Sequence, residues 1–252
     1  MRNRTVAILI VVILGAVVAF EFWAGGMVPF VDYEPTTLTD LPTEEREYDY
    51  IKDGKRIGSY VVWLEGEAEW KGRDAYVSRS RTILESSGRT LEIESLYVFT
   101  EELEPLDYCV NITQGDELQQ ILCVFKGGKV NGTLTSGTKT ATNNIDVNEG
   151  TVLTDSYMVN HWELLFRTFH VPRGKRVKTD LYLPELLTAK PYELICDPAL
   201  ETITINGVDY ECERVRVPEL NLWLFLKDGE VLKLMEPDQD IEISISDQGS
   251  AS

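Results

Sequence analysis

The sequence predicts a mainly β fold: a strongly curved antiparallel sheet, a half barrel packed around one α-helix, with an N-terminal transmembrane helix ahead of it. Three observations carry this. Arg2 and Arg4 precede an almost unbroken apolar run from Val6 to Phe20 that resumes at Phe22 and Trp23. From Glu45 onward, short segments rich in Val, Ile, Leu, Tyr and Thr alternate with turn dipeptides. Between Asp155 and Phe169, apolar residues instead recur at helical intervals.

The leader comes first. Hydrocarbon cannot hydrogen-bond a backbone, so an apolar run of about 17–25 residues crosses a bilayer as a helix and keeps its basic flank on the cytoplasmic side. Residues 1–26 therefore read as an anchor or signal. A cleaved secretory signal is the competing reading, because Val17-Val18-Ala19 has the small residues of a peptidase site. The run continues past it through Trp23, Met27, Val28 and Phe30, which favours the uncleaved anchor. Both readings export the rest of the chain, giving a single-pass protein with a cytoplasmic N-terminus and an extracytoplasmic C-terminal domain.

Residues 27–45, acidic and without apolar periodicity, form a linker. Residues 46–247 form the β domain and 248–252 a tail. The turn dipeptides are Asp53-Gly54, Lys71-Gly72, Ser87-Gly88, Gly115-Asp116, Gly127-Gly128, Asn206-Gly207 and Asp228-Gly229. Near the end Ile241, Ile243 and Ile245 share one face and Glu242, Ser244 and Ser246 the other. Other strands are apolar on both faces. Leu222, Leu224 and Leu226 oppose Trp223 and Phe225, while Ile57, Val61 and Trp63 oppose Tyr60, Val62 and Leu64. Such strands need cover on both sides, or a ligand on one.

The helical segment carries Met158, Trp162, Leu165, Phe166 and Phe169 on one stripe, with Asp155 as its expected N-cap and Pro172 and Gly174 beyond its end. One helix among about a dozen or more strands suits the concave face of a curved sheet.

Charge narrows the function. The chain holds 24 basic and 42 acidic residues; without Arg2 and Arg4, 22 face 42 and the exported part carries −20. Such a surface repels nucleic-acid backbones and anionic lipid headgroups. No nucleic-acid partner is expected.

Four cysteines, Cys109, Cys123, Cys196 and Cys212, suit disulfides in an exported domain. A three-residue loop centred on Asp116 would set Cys109 opposite Cys123, with Cα atoms about 4.5 Å apart and within bonding range. A two-residue loop slips the register by one and the match fails. Cys196 and Cys212 would then pair by default, although the Asn206-Gly207 turn does not place them opposite each other. Three connectivities stay open. Asn111-Ile112-Thr113 and Asn131-Gly132-Thr133 match the N-glycosylation pattern, which makes Asn111 and Asn131 candidate acceptors on an exported surface.

Glu47-Tyr48-Asp49-Tyr50-Ile51 with Asp53-Gly54-Lys55-Arg56-Ile57-Gly58 opens a resemblance. It closes with Tyr210-Glu211-Cys212-Glu213-Arg214-Val215, Leu222-Trp223-Leu224 and Asp228-Gly229-Glu230-Val231-Leu232-Lys233. These stretches resemble the half barrel of periplasmic lipoprotein carriers and chaperones of the Lol type, and more nearly the uncharacterised exported families of that fold. The resemblance implies an apolar cavity between sheet and helix that accepts an acyl chain, a lipid, a lipidated protein or another hydrophobic molecule. Trp63, Trp162, Phe166, Trp223 and Phe225 are its candidate lining residues.

Catalytic patterns are thin. His161 and His170 are the only histidines, nine residues apart and about half a helical turn out of phase. There is no Gly-x-Ser-x-Gly elbow and no His-Glu-x-x-His zinc signature. Glu236, Asp238 and Asp240 start like a calcium loop but lack its turn glycine and distal glutamate. Gly127-Gly128-Lys129 is too short to cradle phosphate. Neither a cofactor nor a metal is expected. The reading is a non-catalytic, membrane-anchored, extracytoplasmic binder of a hydrophobic ligand; the alternative is a solid-cored structural or interaction protein of the cell envelope.

Overall fold

The computed structural model describes residues 28–38, 45–86 and 88–246. The expected anchor at 1–26, most of the linker's second half and the tail lie outside the described residues. Among the described residues, no helix is long and apolar enough to cross a membrane.

Among the described residues seventeen strands make one sheet. In chain order they are β1 (Phe30–Val31), β2 (Arg46–Lys52), β3 (Lys55–Trp70), β4 (Arg73–Ser86), β5 (Arg89–Phe99), β6 (Pro105–Gln114), β7 (Glu117–Phe125), β8 (Lys129–Ser136), β9 (Lys139–Asp146), β10 (Val152–Leu153), β11 (Arg176–Leu183), β12 (Thr188–Cys196), β13 (Glu201–Ile205), β14 (Val208–Val217), β15 (Leu222–Lys227), β16 (Glu230–Glu236) and β17 (Ile241–Ile245). Among the described residues one α-helix, α1 (Val159–Thr168), follows β10. The spatial order is β1-β10-β11 through β17, then β2 through β9, so the last strand closes back onto β2. Neighbours are antiparallel except where β1 and β10 run parallel to β11.

The expected turns that lie wholly among the described residues form. Asp228-Gly229, for instance, places both residues at positive φ, the geometry a right-twisted two-residue hairpin requires, and joins β15 to β16. Alternation then sorts side chains between faces. Leu222, Leu224 and Leu226 enter the main core, while Trp223 and Phe225 pack outside with Ile203, Ile205 and Leu232 beneath the β13–β14 hairpin. A second outer cluster of Ala75, Val77, Val98 and Leu106 is partly covered by Ala68 and Trp70 near the β3–β4 tip. β15 thus receives cover on both sides from its own neighbours, whereas Val61 and Trp63 on the outer face of β3 stay half-buried.

The sheet is open in its hydrogen bonding, yet its arms meet. Tyr182 on β11 lies 3.5 Å from the Cys123 sulfur on β7, and Asn143 Nδ2 on β9 donates to the Leu187 carbonyl at 2.8 Å. At this seam a Cβ on Gly132 would lie 2.6 Å from the Tyr182 hydroxyl and 2.8 Å from Leu187 Cδ2. Only a residue without a side chain lets the arms approach this closely.

The helix fills the interior. Trp162, Val159 and Leu165 have no exposed surface, and Met158, Leu164, Phe166 and Phe169 are buried with them. The helix begins later than the sequence suggests: Met158, not Asp155, is its N-cap, and it has no side-chain capping bond. Asp155 instead accepts the Tyr157 amide at 3.2 Å, forming a turn just before the helix.

Residues 28–38 strap one mouth of the barrel. Pro29 accepts the Arg176 amide, Tyr33 packs on Phe169 with ring centroids 4.8 Å apart, Thr36 donates to the Thr168 carbonyl, and Leu38 donates to that of Glu101. This strap end also carries the C-terminus of α1, whereas the opposite end carries its lead-in and the β11–β12 turn.

Candidate functional site

The most unusual chemistry lies where α1 meets the sheet, because the helix is seated by polar groups as well as apolar ones. Inward-facing positions on β2 to β6 supply hydroxyls: Tyr48, Tyr60, Ser78, Ser80, Ser95, Tyr97 and Tyr108. Asn160 accepts from the Tyr60 hydroxyl and donates to Ser78 Oγ at 2.7 Å. Ser80 and Ser95 bond each other at 2.6 Å beside the Met158 sulfur. Buried polar groups cost free energy unless partnered, and Asn160 is matched by Tyr60 and Ser78 across helix and sheet.

Toward the strap end, Glu163 is 6% exposed and binds Arg46 Nη1 at 2.7 Å and Arg167 Nη2 at 2.8 Å. Both arginines also reach Glu230, at 2.7 and 3.2 Å. Two cations and two carboxylates thereby tie the helix to β2 and β16.

Toward the opposite end, Tyr108 donates to Asp155 Oδ2 at 2.9 Å, and Ser156 Oγ donates to Glu185 Oε1 at 2.6 Å. Burial raises the Asp155 carboxyl. Burial first, then the charge of Asp155, pushes Glu185 up to about 7. The other arm of this cluster is Glu236, which accepts from the Tyr157 hydroxyl at 2.6 Å. His161 is 1% exposed, between the rings of Tyr97 and Tyr108 at 4.8 and 5.4 Å. Its Nδ1 accepts the Asp155 amide at 3.1 Å, so the neutral ring carries its proton on Nε2. Burial pushes this imidazole down to about 3. His161 Nε2, the Tyr97 hydroxyl and Glu185 Oε2 are buried without partners.

The imidazole of His161 is not placed to act as a base on Ser156. Ser156 Oγ is engaged by Glu185, and the acceptor nitrogen of His161 is occupied by a backbone amide. His170 stands apart, exposed, 3.6 Å from Glu213. Among the described residues no three His, Cys, Asp or Glu side chains converge as a metal site.

The expected apolar cavity between helix and sheet is not found where the lining residues were placed. The gap bounded by Val62, Trp63, Leu64, Ser78, Asn160, Glu163, Leu164 and Arg167 holds about 30 Å³, the room of one water. Of the five candidates, Trp162 belongs to the solid core, and Phe166 packs in that core while bordering a hollow at the strap end. Trp63 is half-buried and edges this small gap, Trp223 lies on the outer face beneath the Arg214 guanidinium at 5.0 Å, and Phe225 is buried in the outer cluster. The five do not line one space, because alternation along β15 turns Trp223 and Phe225 away from the helix. Larger hollows open instead at the strap end. One of about 860 Å³ runs between Phe166, His170, Tyr210 and Lys227. Another, of about 630 Å³, lies between Tyr33, Leu103, Phe125, Lys126 and Val147.

The expected disulfides are corrected too. All four cysteines are free. The β6–β7 loop is the two-residue form, so Cys109 faces Leu122 and Cys123 faces Tyr108. Cys123 points inward and Cys109 outward. Cys196 belongs to the main core and Cys212 to the outer cluster, which again sets the pair on opposite faces. Asn111 and Asn131 lie on β6 and β8; Asn111 is half-buried and accepts from Gln120 at 2.8 Å, while Asn131 is exposed.

Sequence reasoning missed Asp155, Glu185, Tyr97 and Tyr108 as a group. Their only signal was the polar residues Asn160, His161 and Glu163 interrupting an otherwise apolar helix.

No family model matches the chain, and no curated protein matches it. Among solved structures, a β-barrel-like protein of the domain of unknown function DUF1849 from Brucella abortus is similar. It shares 12% identity over 80% of this chain and 94% of its own, with a TM-score of 0.46. A DUF1089 family protein from Pseudomonas aeruginosa shares 12% identity over 68% of this chain and 87% of its own, with a TM-score of 0.36.

Proposed function

We propose that this is a membrane-tethered, extracytoplasmic protein that works without catalysis, through contacts made on its outer surface and rims rather than by carrying cargo inside. The observation supporting this reading is that α1 takes the interior volume a carrier of the Lol type would leave to an acyl chain. Only about 30 Å³ remains in the gap against β3 and β4, far below the roughly 300–1,000 Å³ of small-molecule sites.

A hydrophobic ligand remains the second reading, favoured by the strap-end hollow of about 630 Å³ and its apolar residues Tyr33, Leu103, Phe125 and Val147. Titrating the delipidated full chain with the apolar fluorophore 1-N-phenylnaphthylamine at pH 6 separates the two. An interaction protein gives no saturable binding, whereas stoichiometric binding abolished by Phe125→Asp supports the ligand reading and overturns the first. Protease accessibility in intact cells tests the placement: a C-terminal domain protected by the cytoplasmic membrane removes the extracytoplasmic part of the proposal.

A further inference from the structure

The lead-in to α1 is held by carboxyl groups with no cation among their partners. Thr154 is tied upstream by its amide to the Tyr182 carbonyl at 3.0 Å. The next residue, Asp155, accepts from Tyr108 on β6 and from the Tyr157 amide. Ser156 then offers both its hydroxyl and its amide to Glu185 Oε1, at 2.6 and 3.4 Å. Glu185 sits in the β11–β12 turn, where Leu187 adopts positive φ and hydrogen bonds from Leu186 and Leu187 close the loop. Two carboxyls from separate elements therefore meet across a single residue. One of their four oxygens, Glu185 Oε2, is out of contact with water and has no partner.

The groups facing this pair make it intolerant of a second negative charge. From β6 comes Tyr108, from β7 Cys123, from β11 Tyr182 and from β12 Tyr192, and the fields of Asp155 or Glu185 reach all four. From the lead-in comes Tyr157, bonded to Glu236 of β16, and Tyr50 of β2 feels Asp155 and Glu236. From α1 comes His161, held neutral by burial and engaged at Nδ1 by the Asp155 amide, so it supplies no counter-charge. Neither Asp155, Glu185 nor Glu236 takes part in an ion pair among the described residues.

We propose that Asp155 and Glu185 form a proton-operated latch between the lead-in of α1 and the β11–β12 turn, closed while the pair holds a proton and released when both ionise. In the closed state the orphan Oε2 carries the proton, so the two carboxyls, linked through Ser156, bear at most one negative charge between them. On release, two adjacent anions face a wall of tyrosines with nothing to neutralise them, and the segment from Asp155 to Met158 loses its seat. The polar bonds of Asn160 and the Arg46 and Arg167 network at the other end are untouched, so the loosening is local and the barrel persists. The sign follows from burial: the folded state favours protonated Glu185, so the latch is tight at low pH and weakens as pH rises through about 7.

Hydrogen exchange of the full chain tests this between pH 5.5 and 8.5, corrected for the intrinsic pH dependence of exchange. Peptides spanning Thr154 to Trp162 should lose protection by about tenfold or more, given a factor of ten for each unit of displaced titration. Peptides from the β13–β14 hairpin should stay flat. Glu185→Gln, which cannot ionise, should make the Thr154 to Trp162 protection independent of pH. Ser156→Ala removes a donor that favours ionised Glu185 and should move the wild-type midpoint to higher pH; it decides the matter should Glu185→Gln not fold. Unchanged protection across the range, a retained pH dependence in Glu185→Gln, an unmoved midpoint in Ser156→Ala, or simultaneous loss in every peptide would each overturn the latch.

Discussion

Gly132 offers the sharpest test of how the sheet closes. Alanine there places a Cβ 2.6 Å from the Tyr182 hydroxyl and 2.8 Å from Leu187 Cδ2, about 0.8 and 0.6 Å short of the 3.4 Å at which ordinary contact begins. Neither neighbour yields freely. Tyr182 is 1% exposed, its ring lies edge-on to Phe125 at 5.2 Å, and Leu187 belongs to a turn whose carbonyl is held by Asn143. Overpacking of this kind costs about 1–3 kcal/mol, against which alanine regains about 0.5–1 kcal/mol of chain entropy, leaving a net loss of roughly 0–2.5 kcal/mol, centred near about 1 kcal/mol. Gly66→Ala is the internal control. It makes the same chemical change on β3 with nothing within 4 Å, and should be neutral or slightly stabilising. Urea unfolding of both variants, and of Gly132→Ala combined with Tyr182→Phe, supplies the numbers. Removing the hydroxyl should recover at least about 0.5 kcal/mol of the Gly132→Ala loss beyond additivity. Equal stabilities of Gly66→Ala and Gly132→Ala, or strict additivity of the pair, would refute a seam at β8 and β11.

Two further predictions concern the cysteines and the ion cluster. Alkylation of the native full chain should modify Cys109 alone and alkylation of the denatured chain all four, with no mass difference on reduction, because Cys123, Cys196 and Cys212 are at most 1% exposed; two disulfides by mass would mean that β6 and β7 pair one residue out of the described register. Arg46→Met should cost about 2–4 kcal/mol in urea unfolding, somewhat below a fully buried pair because Arg46 is 13% exposed and Arg167 still faces Glu163, and Glu163→Gln in the same background should return part of that loss; no recovery would show that the arginine acts through packing alone.

The fold was readable where physics repeats. Turn dipeptides marked the β2–β3, β3–β4, β6–β7, β7–β8, β13–β14 and β15–β16 hairpins, and the sorting of Leu222, Leu224 and Leu226 from Trp223 and Phe225 follows directly from a period of two. The helix was readable from Met158, Trp162, Leu165, Phe166 and Phe169. What alternation could not show is what lies against each face. An outward Trp223 looks the same in sequence whether a ligand or the β13–β14 hairpin covers it, and Phe166 looks the same lining a cavity or filling one. β9 escaped notice because Lys139 to Asp146 is almost wholly exposed and polar, held by its pairing to β8, by Ile145 against the core and by the Asn143 bond to Leu187. The disulfide geometry turned on a single residue of loop length, and a one-residue slip sends every side chain to the other face. Asp155 and Glu185 were out of reach because they are brought together by the return of β11 and β12 against the lead-in, a contact between segments that no local pattern encodes.

Burial reconciles free thiols with the oxidising exterior of the proposed placement. The thiolate is the species that attacks a disulfide or an oxidant. Burial pushes Cys123 and Cys196 up to about 12 and Cys212 up to about 11, so at neutral pH each is almost wholly protonated as well as sealed from reagents. Cys109 is partly accessible, and burial raises it too. Its cross-strand neighbour is Leu122, and Cys123 points to the opposite face, so it has no intramolecular partner without a shift of register. In this arrangement the folded barrel protects its own thiols, and oxidation becomes a consequence of unfolding. Destabilised variants such as Gly132→Ala should therefore accumulate disulfide-linked species faster than wild type under an oxidising glutathione buffer, in proportion to their unfolded fraction, whereas equal rates would mean that the thiols react from the folded state.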